Sequence, residues 1–209
     1  DQIGIQAYQF YNAIAQKKHP HFKEGALIVP TYFENREDSG LEPYVGKVME
    51  PAKDVVLDFG NGTLRTMVSY DDGIFIDTAK MMKGLREYLD GKQIKFVQKK
   101  INSFSELDSS FIMNCSGLGA REMNQDSTMV TVQGHLIMLK DQNPQDLQHM
   151  ILVYFNEGKT KSGQKVKRSF YIFPKHLPDT GDQDVGVIGG TFIEGATHQT
   201  PNEEEFDLL

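Results

Sequence analysis

The stretch "DVVLDFGNGTLRTMVSY", residues 54–70, predicts a β-hairpin and with it an antiparallel sheet. Apolar and β-branched residues lie on both sides of Asn61-Gly62. This dipeptide is a strong two-residue turn signal, because a type I′ turn requires positive φ at both central positions. Residues 65, 67 and 69 share one face of such a strand, so Arg65 and Tyr70 need not point the same way.

Arg65 and Tyr70 are nevertheless the candidates for binding a small molecule in this hairpin. An arginine with a nearby tyrosine is suited to holding a carboxylate. Taken singly, the ordinary roles are a surface charge for Arg65 and a core aromatic for Tyr70. The sequence leaves both interpretations open.

The carboxy-terminal half repeats the strand pattern. Four β-rich runs separated by turn residues predict one antiparallel meander over residues 129–193, with an exposed tip at 156–166. The runs are "TMVTVQGHLIMLK", "HMILVYFN", "KRSFYIFPK" and "DVGVIGGTFIEG".

Helical periodicity occurs in two places. "IGIQAYQFYNAIAQKKHPHF" has an apolar face and ends near Pro20, and "TAKMMKGLREYLD" follows a capping Asp77 or Thr78. The second helix lies between strand-like runs, which predicts a βαβ-like segment over residues 74–119. The predicted fold class is therefore α+β: an antiparallel-rich mixed sheet with flanking helices, plus this βαβ-like remnant.

Composition narrows the function classes. The chain has 209 residues and a net charge of −7, which argues against nucleic acid as the main partner. No apolar run approaches the ~20 residues of a membrane span, and no signal peptide is visible. The single cysteine fits a reducing compartment, so a cytoplasmic location is expected. His19-Pro-His21 lacks further ligands at metal-site spacing, and no metal is expected.

The run "SSFIMNCSGLGAREM", residues 109–123, ends an apolar stretch in small polar residues and glycines. Either this is a plain turn, or the backbone approaches a ligand closely. "GLGARE" lacks the third glycine of a dinucleotide fingerprint. Cys115 is more often a small buried hydrophobe than a nucleophile, and Ser116 lacks the hydrolase elbow. No catalytic residue can be assigned from these motifs.

Three segments in order resemble the FAD-dependent D-amino-acid oxidase-like family. They are "LREYLDGKQIKFVQKKINSF" with "SSFIMNCSGLGA", then "VTVQGHLIML", then "SFYIFPK" with "VGVIGGTFIEG". The ordered set covers roughly residues 74–195 and carries the resemblance, since no single motif is specific.

The resemblance implies FAD as cofactor and an amine or amino acid as substrate, oxidised by hydride transfer to the flavin. It implies that Cys115, Ser116 and Gly117 face the flavin, and that Ile101 lies on a strand near the adenine. Arg65 to Tyr70 would lie near the lid that covers the substrate. Gly119 departs from the tryptophan that the family often has there, and Gln133 and His135 depart from its Arg-Gly-Gln strand.

The implied organisation has four parts. Residues 1–73 belong to a substrate domain, 74–127 to the middle of an FAD domain, 128–195 to the substrate-domain sheet, and 196–209 to the start of a helix. Because the family's Gly-x-Gly-x-x-Gly turn is not among these residues, we expect an internal piece whose partners include the flanking FAD-domain segments. Alone, this piece is expected to bind FAD negligibly, to be inactive and to expose apolar surface that favours self-association. The alternative is a non-catalytic, β-rich binding or interaction domain.

Overall fold

The computed structural model describes residues 2–159, 165–175, 184–196, 199–206 and 209, and within them the fold is α+β. The helices are α1 (Gln2–Ala15), α2 (Arg36–Ser39), α3 (Thr78–Gly91), α4 (Gly119–Asn124) and α5 (Glu203–Phe206). Single 3-10 turns lie at Glu42–Tyr44, Phe104–Glu106 and Pro144–Leu147. The predicted fold class is confirmed in its main part, the mixed sheet with flanking helices.

Eleven strands are present in the described residues. They are β1 (Ala26–Ile28), β2 (Thr31–Phe33), β3 (Lys53–Asp58), β4 (Leu64–Tyr70), β5 (Ile74–Ile76), β6 (Val132–Gln133), β7 (Leu136–Lys140), β8 (Met150–Lys159), β9 (Lys165–Pro174), β10 (Asp184–Gly189) and β11 (Ile193–Glu194). Seven of them form one sheet in the order β3-β4-β2-β8-β9-β10-β7, while β1 pairs with β5 and β6 pairs with β11. Within the described part of this large sheet only β2 and β8 are parallel.

The predicted hairpin is confirmed as β3 and β4. Asn61 and Gly62 have φ of 47° and 79°, and the Thr63 amide donates to the Gly60 carbonyl at 2.9 Å. Both central residues therefore have the positive φ that the Asn-Gly dipeptide predicts. The register pairs Asp58 with Leu64 directly beside this turn.

The sheet buries different residues on its two faces. On one face Phe33, Val68 and Tyr70 pack with Met49 under the loop that follows α2. On the other face Met67, Ile151 and Val153 form a second cluster with partly buried Tyr32, Val55 and Leu57. The strand alternation of β4 thus divides the core between two layers.

The predicted meander is confirmed only in part. β8, β9 and β10 are consecutive antiparallel neighbours, but β7 pairs with β10 and so lies at the edge. Residues 132–133 leave this sheet to pair with β11. Of the predicted tip, residues 160–164 lie outside the described residues. The return of β7 to β10 depends on a long-range pairing that local strand patterns do not encode.

The predicted βαβ-like remnant is wrong beyond its first strand and helix. β5 and α3 form, and the Asp77 side chain caps α3 by accepting from the Lys80 amide at 3.1 Å. The runs "QIKFVQKKI" and "SFIMNC" form no strand, and Val97 and Phe111 are 67% and 78% exposed. A strand needs a hydrogen-bonding neighbour and a covered face, and the described residues supply neither to these runs.

Candidate functional site

A cleft opens in the large sheet where its shortest inner strand stops. β2 ends at Phe33, which pairs with Val68 of β4 and Leu152 of β8. β4 and β8 both extend past this point, so the first half of β4 faces β8 across a gap. We call the gap the Arg65 cleft. It lies at the carboxyl end of the parallel pair, where ligands of mixed and parallel sheets commonly bind.

The Arg65 cleft has a volume of about 260 Å³, close to the lower end of small-molecule sites. It is lined by Phe59, Asn61, Thr63, Arg65, Val153 and Phe170. Three of these side chains are apolar, two are neutral and polar, and one is charged. Such a lining, apolar with a few convergent polar groups, is typical of small-molecule sites.

The charge in the cleft belongs to a loose ion pair. Arg65 Nη1 lies 3.7 Å from Glu34 Oε1, and the two side chains are 46% and 40% exposed. This separation exceeds a hydrogen bond, so the contact is a weak, solvated one. The Arg65 guanidinium keeps the bidentate geometry that matches a carboxylate.

Tyr70 does not join Arg65, because the five-residue offset places the two side chains on opposite faces of β4. Tyr70 is completely buried, and its hydroxyl lies 2.9 Å from Ser39 Oγ and donates to Glu42 Oε1 at 2.5 Å. Burial raises the pKa of Tyr70 most, and the hydrogen bond to Glu42 raises it further. Of the two candidates for substrate contact, Arg65 borders the cleft and Tyr70 is a core residue.

The second candidate site is the turn of residues 114–119, which we call the Asn114 turn. Asn114 Oδ1 accepts from the Ser116 amide at 3.2 Å and from Ser116 Oγ at 2.7 Å. Gly117 has φ of 57°, and α4 begins two residues later. Cys115, Ser116 and Gly117 are all exposed, which corrects the expectation of a buried cysteine.

The Asn114 turn combines open space at Gly117 with a buried donor at Asn114. A Cβ built on Gly117 would meet no atom within 4 Å, so neighbouring packing does not require a glycine there. Asn114 Nδ2 is buried and has no acceptor among the described residues. A buried donor without a partner is costly unless another group supplies an acceptor.

Ile101 lies in an irregular segment that follows α3. It is partly buried just before the 3-10 turn at Phe104–Glu106, and no hydrogen bond in the described residues links it to residues 115–117. The strand that was expected to carry it does not form.

Sequence reasoning singled out Arg65 but neither the other residues that line the cleft nor Glu34, the ion-pair partner of Arg65. Glu34 follows an apolar strand, a position that marks it only as the start of a loop. Its meeting with Arg65 depends on the pairing of β2 with β4, which lie more than thirty residues apart in the chain.

No protein-family model matches the chain. Among the described residues, no group of three or more His, Cys, Asp or Glu is arranged to hold a metal ion. The helices of the same residues include none with the length and apolar character needed to cross a membrane.

Proposed function

We propose that the chain is part of an FAD-dependent oxidoreductase that oxidises an amine or amino acid. In this proposal the Arg65 cleft binds the small molecule and the Asn114 turn faces the flavin. The observation that supports it most is the Asn114 turn itself, with small exposed side chains, a left-handed Gly117 and a buried donor that lacks an acceptor. Small, exposed side chains of this kind allow a cofactor to approach the backbone closely.

The exposed apolar runs on either side of the 3-10 turn support the same proposal. Phe96, Val97, Phe111 and Met113 are each at least 45% exposed, although their sequences have strand character. Such runs become strands when a neighbouring sheet covers them. A flavin-binding domain completed by flanking segments would provide that sheet.

The residues of this chain would bind, orient and shield rather than carry out the chemistry. When bound, FAD supplies the hydride acceptor. Ser116 and Gly117 allow the backbone to approach the cofactor, and Arg65 holds a carboxylate of the substrate. Phe59, Val153 and Phe170 cover the apolar part of the substrate and exclude water.

The exposed Cys115 thiol is an argument about the cellular compartment of the protein. A free, exposed thiol persists where glutathione and thioredoxin keep thiols reduced. This supports a cytoplasmic location, which is part of the proposal.

The test is the cofactor content of the protein purified with every residue that its gene encodes. We expect a yellow protein that releases close to one FAD per chain on denaturation, identified by chromatography. A folded, colourless protein that takes up no FAD on reconstitution would contradict the proposal and favour a non-catalytic binding domain.

A further inference from the structure

We propose that Asn61, in the turn between β3 and β4, is a site of spontaneous deamidation, at which the Gly62 nitrogen displaces the side-chain amide as ammonia. The product is aspartate or isoaspartate at position 61. The reaction needs only this turn and water, so the inference does not depend on the proposed function. It goes beyond that function because it makes the charge of the Arg65 cleft change as the protein ages.

The residue after Asn61 leaves the attacking nitrogen uncrowded. In deamidation the backbone nitrogen of the next residue attacks the carbonyl carbon of the asparagine side chain. A side chain on that next residue hinders the approach, and glycine has none. Asn61 is the one asparagine in the sequence that a glycine follows. A Cβ built on Gly62 would meet no atom within 4 Å, so surrounding groups leave the approach open as well.

The Gly62 nitrogen is also free to react. Within the described part of the chain its N–H donates no hydrogen bond, whereas the next amide, that of Thr63, donates to the Gly60 carbonyl at 2.9 Å. Asn61 and Gly62 are both exposed, so water and hydroxide reach the Gly62 N–H. Because this amide is unpaired, removal of its proton breaks no hydrogen bond within the protein.

Thr63 activates the side chain that is attacked. Its hydroxyl donates to Asn61 Oδ1 at 2.8 Å. Negative charge develops on this oxygen when the nitrogen adds to the carbonyl carbon. A donor that is already in place stabilises the developing charge, in the manner of an oxyanion hole.

The turn has to open for the attack. Asn61 and Gly62 have φ of 47° and 79°, and ψ of Asn61 must rotate out of the turn to bring the nitrogen to the side-chain carbon. Two hydrogen bonds of 2.9 Å close the tip, from Thr63 to the Gly60 carbonyl and from Phe59 to the Thr63 carbonyl. Each contributes about 0.5–1.5 kcal/mol, so local opening of this exposed tip is frequent compared with a slow covalent step.

The reaction balances without an oxidant or a cofactor. The Gly62 N–H proton goes to water, a bond forms between Gly62 N and Asn61 Cγ, and the Cγ–Nδ2 bond breaks with loss of ammonia. Water then opens the cyclic imide at either of its two carbonyl carbons. One opening gives aspartate, and the other gives isoaspartate, in which the former side-chain carbon becomes part of the backbone.

The product changes the Arg65 cleft. Asn61 lines this cleft, and among the described residues of the lining Arg65 alone carries a charge. A carboxylate at position 61 adds a negative charge to the same lining and offsets the positive charge of Arg65. Isoaspartate also lengthens the backbone of a two-residue turn, which then no longer fits the type I′ geometry.

The experiment follows the purified protein during incubation at neutral and at alkaline pH. Peptide mapping by mass spectrometry records conversion of amide to carboxyl at each asparagine, and an isoaspartate assay identifies the product. Asn102 is the internal control, because it is also exposed but the next amide, that of Ser103, donates to Glu106 Oε1 at 3.2 Å. We expect Asn61 to convert about tenfold or more faster than Asn102, and faster still at alkaline pH.

Thr63→Val tests the activating hydroxyl, since valine keeps the shape of the side chain. The variant should slow conversion of Asn61 in the folded protein by about threefold or more, the effect of one hydrogen bond. Wild type and variant should convert equally fast in denaturant, where the contact between Thr63 and Asn61 is not formed.

Persistence of Asn61 in the folded protein, under conditions in which the denatured protein converts, would overturn the inference, because the turn would then protect the residue. Equal conversion of Asn61 and Asn102 in the folded protein would overturn it as well. An unchanged folded-state rate in Thr63→Val would overturn the role given to the hydroxyl.

Discussion

Arg65 and Tyr70 lie on one strand but on opposite faces of the sheet, and only Arg65 borders the cleft. Tyr70 is held by Ser39 and Glu42 in the layer beneath the loop that follows α2. The two residues that sequence reasoning grouped as one substrate site are thus separated: Arg65 borders the cleft, and Tyr70 is a core residue.

Tyr70→Phe should reduce stability without affecting the cleft. The variant loses the hydroxyl contacts to Ser39 and Glu42, and we expect the free energy of unfolding to fall by about 1–2 kcal/mol. Denaturant unfolding measures the loss of stability, and equilibrium dialysis with leucine measures ligand binding in the cleft. Weakened leucine binding with unchanged stability would contradict a purely structural role for Tyr70.

Gly117→Ala should lower FAD content more than backbone strain alone explains. Gly117 has φ of 57°, so alanine there costs about 1 kcal/mol of conformational energy. Gly46→Ala is the control, because Gly46 has φ of 74° and also has open space where a Cβ would lie. Both variants should lose similar stability, but only Gly117→Ala should lose flavin. Equal flavin content in the two variants would show that the Asn114 turn is not part of the cofactor site.

Gly190→Ala should be severely destabilising. Its φ is 137°, and a Cβ there would lie only 1.7 Å from the Ser169 carbonyl oxygen. Because that oxygen belongs to the backbone, the strand itself would have to move, and we expect a loss of about 3 kcal/mol or more. Gly195→Ala, with φ of 76° and open space around the Cβ, should cost only about 1 kcal/mol. Similar unfolding midpoints for the two variants would contradict this account.

His149 should contribute to stability in a pH-dependent way. Burial lowers its pKa from the ordinary value of 6.5, so the folded protein favours the neutral ring. The contribution of the neutral His149 ring to stability is therefore fully present above pH 6.5, the ordinary pKa. It is lost as the pH falls below 6.5 and through the lowered pKa of His149 in the folded protein. The difference in unfolding free energy between wild type and His149→Asn should shrink over that window. NMR titration of the His149 ring to a midpoint at or above 6.5 would contradict the prediction.

Local sequence signals predicted the local structure well. The positive φ at Asn61 and Gly62 and the capping of α3 by Asp77 follow from side-chain chemistry that acts over a few residues. The two runs around Ile94 and Phe111 also have strand sequences. They are not strands, because a strand requires a neighbour that the described residues do not provide.

The cleft could not be predicted for a related reason. It results from a three-residue β2 inserted in parallel beside β8, and no local pattern shows that pairing. Arg65 was singled out because an arginine with a nearby tyrosine can hold a carboxylate, whereas Glu34 has no distinguishing local context. Its ion pair with Arg65 results from the pairing of β2 with β4, which its neighbours in the chain do not predict.

The most direct test of the proposed function is anaerobic addition of leucine to the purified protein while the visible absorption of flavin is followed. We predict that the oxidised-flavin bands bleach with leucine of at least one enantiomer and return when air is admitted. Bleaching should be slower or require more leucine in Arg65→Gln. A folded protein with no flavin absorption, or with bound flavin that no amine or amino acid bleaches, would contradict the account.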